Sequence, residues 1–264
     1  MVVSLTGKRG LVMGVANERS IAWGIASSLH KAGAELGFSY QGEAFERRVA
    51  PLAESVGSNL MFDLDVTDEA SMDAGFNKVA AHWDKLDFVV HAIAFADKSE
   101  LAADFRFRDT SRANFAKAMD ISCYSFIDVA RRAAPLMTDG GTLITLTFDG
   151  SNRVFPCYNV MGVAKAGLEA AVRYLANDLG PERIRVNAIS PGPMKTLAGS
   201  AIGAARRTYK HSEANAPLQE NATLEAIGGT AVWLTSDVGA CTSGQIVMVD
   251  GGYHVMGMPR VENL

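Results

Sequence analysis

A tyrosine and a lysine separated by two helical turns are the residues of this sequence best suited to proton transfer. Tyr158 and Lys165 begin and end the stretch Tyr-Asn-Val-Met-Gly-Val-Ala-Lys. Because seven residues span about two turns, the spacing predicts that both side chains project from one face of a single helix. A neighbouring ammonium group makes phenolate character less costly and can also bind a ribose hydroxyl. A tyrosine at a helix start followed by a solvated lysine is the alternative interpretation.

A turn of small residues near the N-terminus could hold phosphates. It runs Gly-Val-Ala-Asn-Glu-Arg-Ser-Ile-Ala from Gly14, which is not the pattern G-x-G-x-x-G. Pyrophosphates bind where a tight turn approaches them closely and a helix N-terminus offers free N–H groups. Ser20 is also a natural N-cap, and its hydroxyl could donate to a phosphate. An ordinary strand-to-helix turn capped by Ser20 is the alternative.

The next two apolar runs end in residues that could contact an adenosine. Dinucleotide-binding sheets usually place an acid after the second strand for NAD and an arginine for NADP. Gln41 stands there, so a 2′-phosphate lacks its usual cation and NADH is favoured over NADPH, although Arg47 and Arg48 follow. Asp65, after the third run, either accepts a hydrogen bond from the adenine amino group or caps the next helix.

These residues need a scaffold, and the hydrophobic pattern predicts a parallel sheet. Short apolar runs, typical of strands buried on both faces, alternate with stretches of helical spacing. The predicted strands are 10–13, 36–40, 59–62, 88–92, 142–147, 186–189 and 246–249. The predicted helices are 21–31, 43–56, 69–83, 112–136, 158–179 and 224–234. The predicted fold is therefore a single α/β domain over 1–264, a Rossmann-like doubly wound sheet of about seven parallel strands with helices on both faces.

The composition of the chain argues against a nucleic-acid-binding, membrane-spanning or secreted protein. Twenty-five basic and 29 acidic residues give a net charge of −4, so no general attraction to nucleic acid or an anionic membrane is expected. No apolar stretch approaches the ~18 residues of a membrane span, and charges at 8 and 9 come too early for a signal peptide. The three widely spaced cysteines, Cys123, Cys157 and Cys241, show no metal-ligand rhythm. We expect a reduced, cytoplasmic protein without a metal site.

The later part of the chain contains two features that favour ligand binding. A Pro-Gly-Pro turn at 191–193 and an Asp-Gly-Gly turn at 250–252 follow predicted strands, and ligands bind at the carboxyl ends of such strands. The segment 197–217 is the least regular stretch and contains Arg-Arg-Thr-Tyr-Lys. We expect it to be a substrate-binding loop that could act as a lid.

Taken together, these motifs resemble the short-chain dehydrogenase/reductase superfamily. The Tyr/Lys pair, Asn-Ala-Ile-Ser-Pro-Gly-Pro at 187–193 and Val-Asp-Gly-Gly at 249–252 carry the resemblance. Ordinary members have Tyr-x-x-x-Lys, whereas position 162 is Gly here and the lysine comes at 165. The chain is similar in four features to the divergent enoyl-acyl-carrier-protein reductase branch of this superfamily. These features are the shifted lysine, the turn of small residues from Gly14, His-Ala-Ile-Ala-Phe-Ala at 91–96 and Asp-Ile-Ser at 120–122. The resemblance covers about residues 4–253.

The resemblance implies an NADH-dependent homotetramer that reduces a trans-2-enoyl thioester on acyl carrier protein in type II fatty acid biosynthesis. Tyr158 would donate a hydrogen bond to the thioester oxygen, and Lys165 would hold the nicotinamide ribose. The cofactor would be lined by Gly14, Ser20, Ile21, Gln41, Asp65, Val66, Ile93, Lys165, Met194, Lys195, Thr196, Leu197 and Ala198. The substrate side would contain Ala96, Phe148, Tyr158 and Met161. Many members have a tyrosine where this chain has Phe148.

The resemblance also implies a docking surface for the carrier. Arg206 and Arg207 stand at the carrier-contact positions of the family, with Lys210 nearby. Basic groups on a net-negative enzyme would steer an acidic carrier protein. Many members have a basic residue where this chain has Gly203, and a solvated helix face is the other interpretation of these charges.

The position of the lysine, seven rather than four residues after Tyr158, is consistent with reduction of an enoyl group. Hydride arrives at the β carbon and negative charge develops on the thioester oxygen, so the donor is aimed at a different point than in carbonyl reduction. Two other functions remain open. One is reduction of a carbonyl/alcohol pair such as a 3-oxoacyl thioester, against which position 162 argues. The other is a non-catalytic NAD-binding regulator, against which Tyr158 and Lys165 argue.

Overall fold

A seven-stranded parallel sheet lies at the centre of the protein. The computed structural model describes residues 3–264, and its strands are β1 (Arg9–Met13), β2 (Glu35–Tyr40), β3 (Leu60–Asp63), β4 (Phe88–His91), β5 (Gly141–Leu146), β6 (Ile184–Pro191) and β7 (Ile246–Val249). Their order in the sheet is β3-β2-β1-β4-β5-β6-β7. Each neighbouring pair is parallel. The predicted parallel sheet is confirmed, and its connections reverse direction between β1 and β4, where a ligand cleft opens in such sheets.

Helices cover both faces of this sheet, as predicted. They are α1 (Ile21–Lys31), α2 (Glu43–Ser55), α3 (Glu69–His82), α4 (Arg112–Met119), α5 (Ser125–Ala133), α6 (Val160–Leu179), α7 (Ala205–Asn215) and α8 (Leu224–Thr235). One buried apolar cluster joins the sheet to α3, α5 and α6, and a second joins it to α1, α2 and α8. Successive strand residues serve opposite clusters: Leu11 belongs to the first and Val12 to the second, both with no exposed surface. Strands buried on both faces are therefore continuous apolar runs.

One predicted helix is interrupted. The segment 112–136 passes through a π-helical turn, Asp120–Tyr124, between α4 and α5. The Ser122 hydroxyl accepts a bond from the Phe95 amide at 2.9 Å and donates to the Phe95 carbonyl at 3.1 Å. The wide turn thus joins α4 and α5 to the segment after β4. Such turns are frequent at functional sites.

The segment 197–217 is not a loop throughout, because it contains α7. The prediction of an irregular segment was wrong there for a physical reason: the only buried residues of α7 are the polar Ser212 and Asn215. A helix that packs through polar side chains has no apolar stripe, and hydrophobic periodicity cannot detect it. Within residues 3–264, no helix is both long enough and apolar enough to cross a membrane.

Candidate active site

The predicted cofactor residues follow the carboxyl ends of five strands. Gly14 comes after β1, Gln41 after β2, Asp65 after β3, Ile93 after β4 and Met194 after β6. Parallel strands all end at the same edge of their sheet, so the fold brings these residues to one edge. That edge includes the reversal between β1 and β4, where dinucleotides bind in doubly wound sheets.

The phosphate turn has the geometry of an anion site. Gly14 has a φ of +94°, and a Cβ there would lie 2.2 Å from the Ala92 carbonyl oxygen, so only glycine fits. Ser20 is the N-cap of α1, as predicted, but its side chain makes no capping bond; its hydroxyl donates to the Asn17 carbonyl at 2.7 Å. The Trp23 and Gly24 amides donate to the Ser20 carbonyl, and the first two amides of α1, those of Ile21 and Ala22, have no acceptor within residues 3–264. These two amides can bind an anion.

Asp65 is available to contact the adenosine of a dinucleotide. It does not cap α3, because Asp68 accepts the bond from the Ala70 amide at 2.9 Å. One oxygen of Asp65 accepts from the Thr67 amide at 2.8 Å and from its hydroxyl at 2.7 Å. Burial raises the pKa of Asp65, but the bonds from Thr67 and from Gln41 outweigh it, so the pKa lies below its ordinary value. An ionised acceptor is therefore maintained at this position, with Gln41 exposed beside it.

Apolar members of the predicted cofactor set pack against the apolar clusters on both faces of the sheet. Val66 and Ile93 pack against the α3, α5 and α6 cluster, whereas Ile21 and Met194 pack against the α1, α2 and α8 cluster. After Met194 the chain passes through Lys195, Thr196, Leu197 and Ala198 toward α7. The Lys195 ammonium lies 4.1 Å from the centre of the Tyr209 ring. This cation–π contact joins the predicted cofactor segment to α7.

Tyr158 lies in a turn before α6 and not on the helix, so the prediction of one shared helix face was wrong. The preceding and following residues, Cys157 and Asn159, have φ values of 67° and 43°, which no helix contains. Helical geometry starts at Val160. Both members of the pair are nevertheless buried, Tyr158 with 8% and Lys165 with 5% of its surface exposed.

Tyr158 and Lys165 both have hydrogen-bond donors that a ligand could use. The Tyr158 hydroxyl has no hydrogen-bond partner in the described part of the chain. The Lys165 ammonium donates to the Leu146 carbonyl at 2.7 Å, which leaves two of its N–H groups for a ligand. Burial, with the charge of Glu169, raises the pKa of Tyr158, so its proton is retained at neutral pH. Burial lowers the pKa of Lys165 to about 8, although Cys123 and Glu169 act in the opposite direction.

Gly162 shows why the lysine is shifted. A Cβ at this position would lie 2.7 Å from the Gly150 carbonyl oxygen. Backbone atoms cannot move aside as a flexible side chain can. A lysine four residues after Tyr158, the arrangement of ordinary members of the superfamily, therefore does not fit this chain.

All four predicted substrate residues come together in one apolar cluster. Ala96, Tyr158 and Met161 are buried in it, and Phe148 packs against it. The rings of Phe148 and Tyr158 meet edge to face with their centres 4.9 Å apart. Sequence reasoning did not identify the five other members, which are Leu101, Ala118, Phe155, Val160 and Ile202. Ile202 belongs to the segment 197–217, so this segment reaches the predicted substrate pocket.

Sequence reasoning also missed two polar residues, Glu169 and Asn159, on or next to the helix that carries Lys165. Glu169 is 5% exposed and accepts bonds from the hydroxyls of Thr147 and Ser151. Its position four residues after Lys165 could have identified it, because such residues share a helix face. The Asn159 amide donates to the Glu100 carbonyl at 2.9 Å. No sequence spacing indicates that contact.

The predicted carrier-docking residues are available for binding. Arg206, Arg207 and Lys210 are exposed on α7 and form no ion pair within residues 3–264. A Cβ at Gly203 would lie 2.5 Å from the Ala103 amide nitrogen, so the backbone leaves no room for a basic side chain at this position. In the described part of the chain, no group of three or more His, Cys, Asp or Glu side chains could hold a metal ion.

Comparison with known proteins gives consistent matches over the full length. A family model described as Enoyl-(Acyl carrier protein) reductase matches residues 14–254. Enoyl-(acyl-carrier-protein) reductase (NADH) 1 of Rhizobium meliloti strain 1021 is 55% identical over 258 residues, covering 98% of this chain and 94% of that protein. FabI from Candidatus Liberibacter asiaticus has a TM-score of 0.95 at 50% identity, over 98% of this chain and 100% of that one. The Anaplasma phagocytophilum enoyl-(acyl-carrier-protein) reductase in complex with NAD has a TM-score of 0.93 at 51% identity, over 99% and 98%.

Proposed function

The chain belongs to the enoyl-(acyl carrier protein) reductase family, and from that premise we propose that it reduces the trans-2 double bond of enoyl thioesters carried by acyl carrier protein. The reductant is NADH, and the pathway is type II fatty acid biosynthesis. One observation carries this proposal. Tyr158 and Lys165, seven residues apart, are both buried and both have donors without a partner in the described part of the chain, and Gly162 leaves no room for the lysine of a carbonyl reductase.

The residues at the carboxyl edge suit a dinucleotide. The uncapped N-terminus of α1 offers amides to a pyrophosphate, and Lys165 has two N–H groups for ribose hydroxyls. Gln41 gives no cation for a 2′-phosphate, and Arg47 is paired with Glu43. NADH bound at this edge supplies the hydride.

The protein's own side chains stabilise the charge that the reaction creates. As hydride reaches the β carbon, negative charge develops on the thioester oxygen, and Tyr158 donates a hydrogen bond to it. A donor directed at developing charge contributes ~3 kcal/mol to transition-state stabilisation. The raised pKa keeps the proton on Tyr158. Phe148 and Phe155, with ring centres 4.6 Å apart, cover this region with apolar surface and exclude water.

Carrier docking involves α7 in this proposal. Arg206 and Arg207, with Lys210, offer to the acidic carrier positive charge that is not paired within the described part of the chain. Ile202, at the start of the same segment, contacts the substrate cluster. The docking surface and the acyl pocket are therefore adjacent along the chain.

Exposed apolar side chains support a homotetramer. One group of exposed apolar side chains lies on α4, α5, α6 and the π-helical turn and consists of Phe115, Tyr124, Ile127, Val163 and Tyr174. A second group includes Trp233 on α8 and, near the C-terminus, Val255, Met258 and Val261. Because α5 and α6 lie on one side of the sheet and α8 on the other, two self-complementary interfaces suit an assembly with two axes. We also assign the protein to the cytoplasm, where its three free cysteines would stay reduced.

The function is tested by offering purified protein NADH or NADPH together with a trans-2-enoyl or a 3-oxoacyl thioester. We expect oxidation only with NADH and the enoyl substrate. Turnover of the 3-oxoacyl substrate would instead indicate a carbonyl reductase, and NADH binding without turnover would indicate a regulator.

A further inference from the structure

A buried carboxylate lies one helical turn beyond Lys165. Glu169 is 5% exposed and forms no ion pair within the described part of the chain. One of its oxygens accepts bonds from the Thr147 and Ser151 hydroxyls, both at 2.6 Å. Two hydroxyl donors do not neutralise a carboxylate, and a buried charge without an opposite charge nearby is costly. A nearby cation is therefore expected.

Lys165 and Glu169 reach the same strand end from successive turns of α6. The Lys165 ammonium donates to the Leu146 carbonyl at 2.7 Å, and Glu169 accepts from the side chain of the next residue, Thr147. Residues four apart on a helix lie on the same face. The end of β5 thus holds the ammonium and the carboxylate in a fixed arrangement, without direct contact between them.

We propose that Glu169 is a positioning residue that keeps Lys165 charged and directs its ammonium toward the ribose of the bound dinucleotide. This inference rests on the proposed role of Lys165 in cofactor binding. It gives a function to a buried acid that the reduction step does not use.

The other titratable groups around Lys165 do not supply negative charge. Burial and the charge of Lys165 lower the pKa of His91, on β4, to about 3, so the imidazole is neutral. Burial raises the pKa of Cys123, in the π-helical turn, and that of Tyr158, in the turn before α6. At neutral pH these three groups are uncharged. Cys123 opposes the effect of burial on Lys165 only where its thiol is ionised, so at neutral pH Glu169 is the anion that does so.

The consequence is a change in the pH range of cofactor binding. The Lys165 ammonium is charged below its pKa of about 8 and loses its proton above it. Removing the Glu169 charge lowers this pKa further, so the loss of ammonium begins at a lower pH. Below that range the ammonium stays protonated with or without Glu169, and binding is unchanged.

The first test measures the dissociation constant of NADH by fluorescence between pH 6 and 9 for wild type and Glu169→Gln. The glutamine oxygen can still accept the bonds from Thr147 and Ser151. We expect affinity within about twofold of wild type at pH 6 and a loss of roughly two- to fivefold near pH 8, the effect of a lysine pKa lowered by about half a unit to one unit. Asp87→Asn, which removes another buried carboxylate at the opposite edge of the sheet, should leave the profile unchanged. A Glu169→Gln profile that superimposes on wild type, or an equal loss at every pH, would overturn the proposal.

The second test measures melting temperatures and starts from Lys165→Met, so it does not depend on the stability of the Glu169→Gln single variant. Lys165→Met leaves the buried Glu169 carboxylate without its cation, so the variant should melt below wild type at pH 8. Adding Glu169→Gln to Lys165→Met should raise the melting temperature. A double variant no more stable than Lys165→Met would overturn the pairing. Neither test involves enoyl reduction, so failure here is distinguishable from failure of the proposed function.

Discussion

Tyr158 is a buried residue that retains its proton, and its hydroxyl has no partner in the described part of the chain, whereas the hydroxyl of a buried tyrosine usually forms a hydrogen bond. An unpartnered donor is costly unless a ligand completes it. We interpret it as a donor reserved for the thioester oxygen.

Replacing Tyr158 with Phe should lower kcat about 10²- to 10³-fold for a trans-2-enoyl thioester, because it removes a donor used in the transition state. The dissociation constant of NADH should change little. Steady-state kinetics and fluorescence titration measure these two quantities. Tyr174→Phe, on α6 with 79% of its surface exposed, is the matched control. Equal kcat values for Tyr158→Phe and wild type would exclude the assigned role.

The pKa of Lys165 predicts how the NADH affinity of the wild-type protein depends on pH. Because burial lowers this pKa to about 8, the ammonium is present below that pH and lost above it. NADH affinity should therefore decline as the pH rises through about 8. Isothermal titration at several pH values measures this, and constant affinity from pH 6 to 9.5 would contradict a ribose contact by the Lys165 ammonium.

At the scale of elements, the turn before α6 determines where Tyr158 points. Cys157 and Asn159, with positive φ on either side, take the tyrosine off the helix, and the Asn159 amide ties the turn to the Glu100 carbonyl. The carboxylate of Glu100 is held in turn by the fully buried Asn114 amide at 2.8 Å. The segment after β4 thus supports the turn that carries Tyr158.

Asn159→Gly tests this support, because glycine accepts the positive φ while the amide donor is lost. We expect kcat to fall about tenfold, since small displacements of a catalytic group reduce rates. In a Tyr158→Phe background the same change should have almost no further effect, because the turn acts through the tyrosine hydroxyl. Additive losses in the double variant would show that Asn159 acts by another route.

Sequence patterning predicted the elements whose stability depends on apolar burial. β1, β4, β5 and β6 are buried on both faces and appear as apolar runs, and α1 and α8 meet across a buried apolar contact. α7 was not predicted, because its buried side chains are polar. The offset of Tyr158 could not be predicted either, since spacing does not reveal a positive φ at a residue other than glycine. The motifs nevertheless located the correct edge of the sheet, because parallel topology fixes where strand ends meet.

At the scale of the whole molecule, charge is distributed unevenly. The net charge is −4, yet Arg206, Arg207 and Lys210 share one helix, are exposed, and form no ion pair within residues 3–264. Such a patch accelerates association with an acidic partner, and the effect weakens with salt. The patch adjoins the substrate cluster through Ile202.

Reversing charge with Arg206→Glu and Arg207→Glu should therefore raise KM for carrier-bound enoyl substrate about tenfold or more, with little change for a small enoyl thioester. Lys31→Glu with Lys78→Glu changes the net charge equally at exposed sites elsewhere and should have little effect. Initial rates at two salt concentrations measure both. Equal effects on the two substrates would exclude docking through α7.

The central claim is hydride transfer to the β carbon of an enoyl thioester, and isotope transfer tests it most directly. NADH carrying deuterium at both C4 positions would be incubated with a trans-2-enoyl thioester, and the acyl product examined by NMR and mass spectrometry. We predict one deuterium per product, located at carbon 3. Deuterium at carbon 2, or a saturated product without deuterium, would contradict the account.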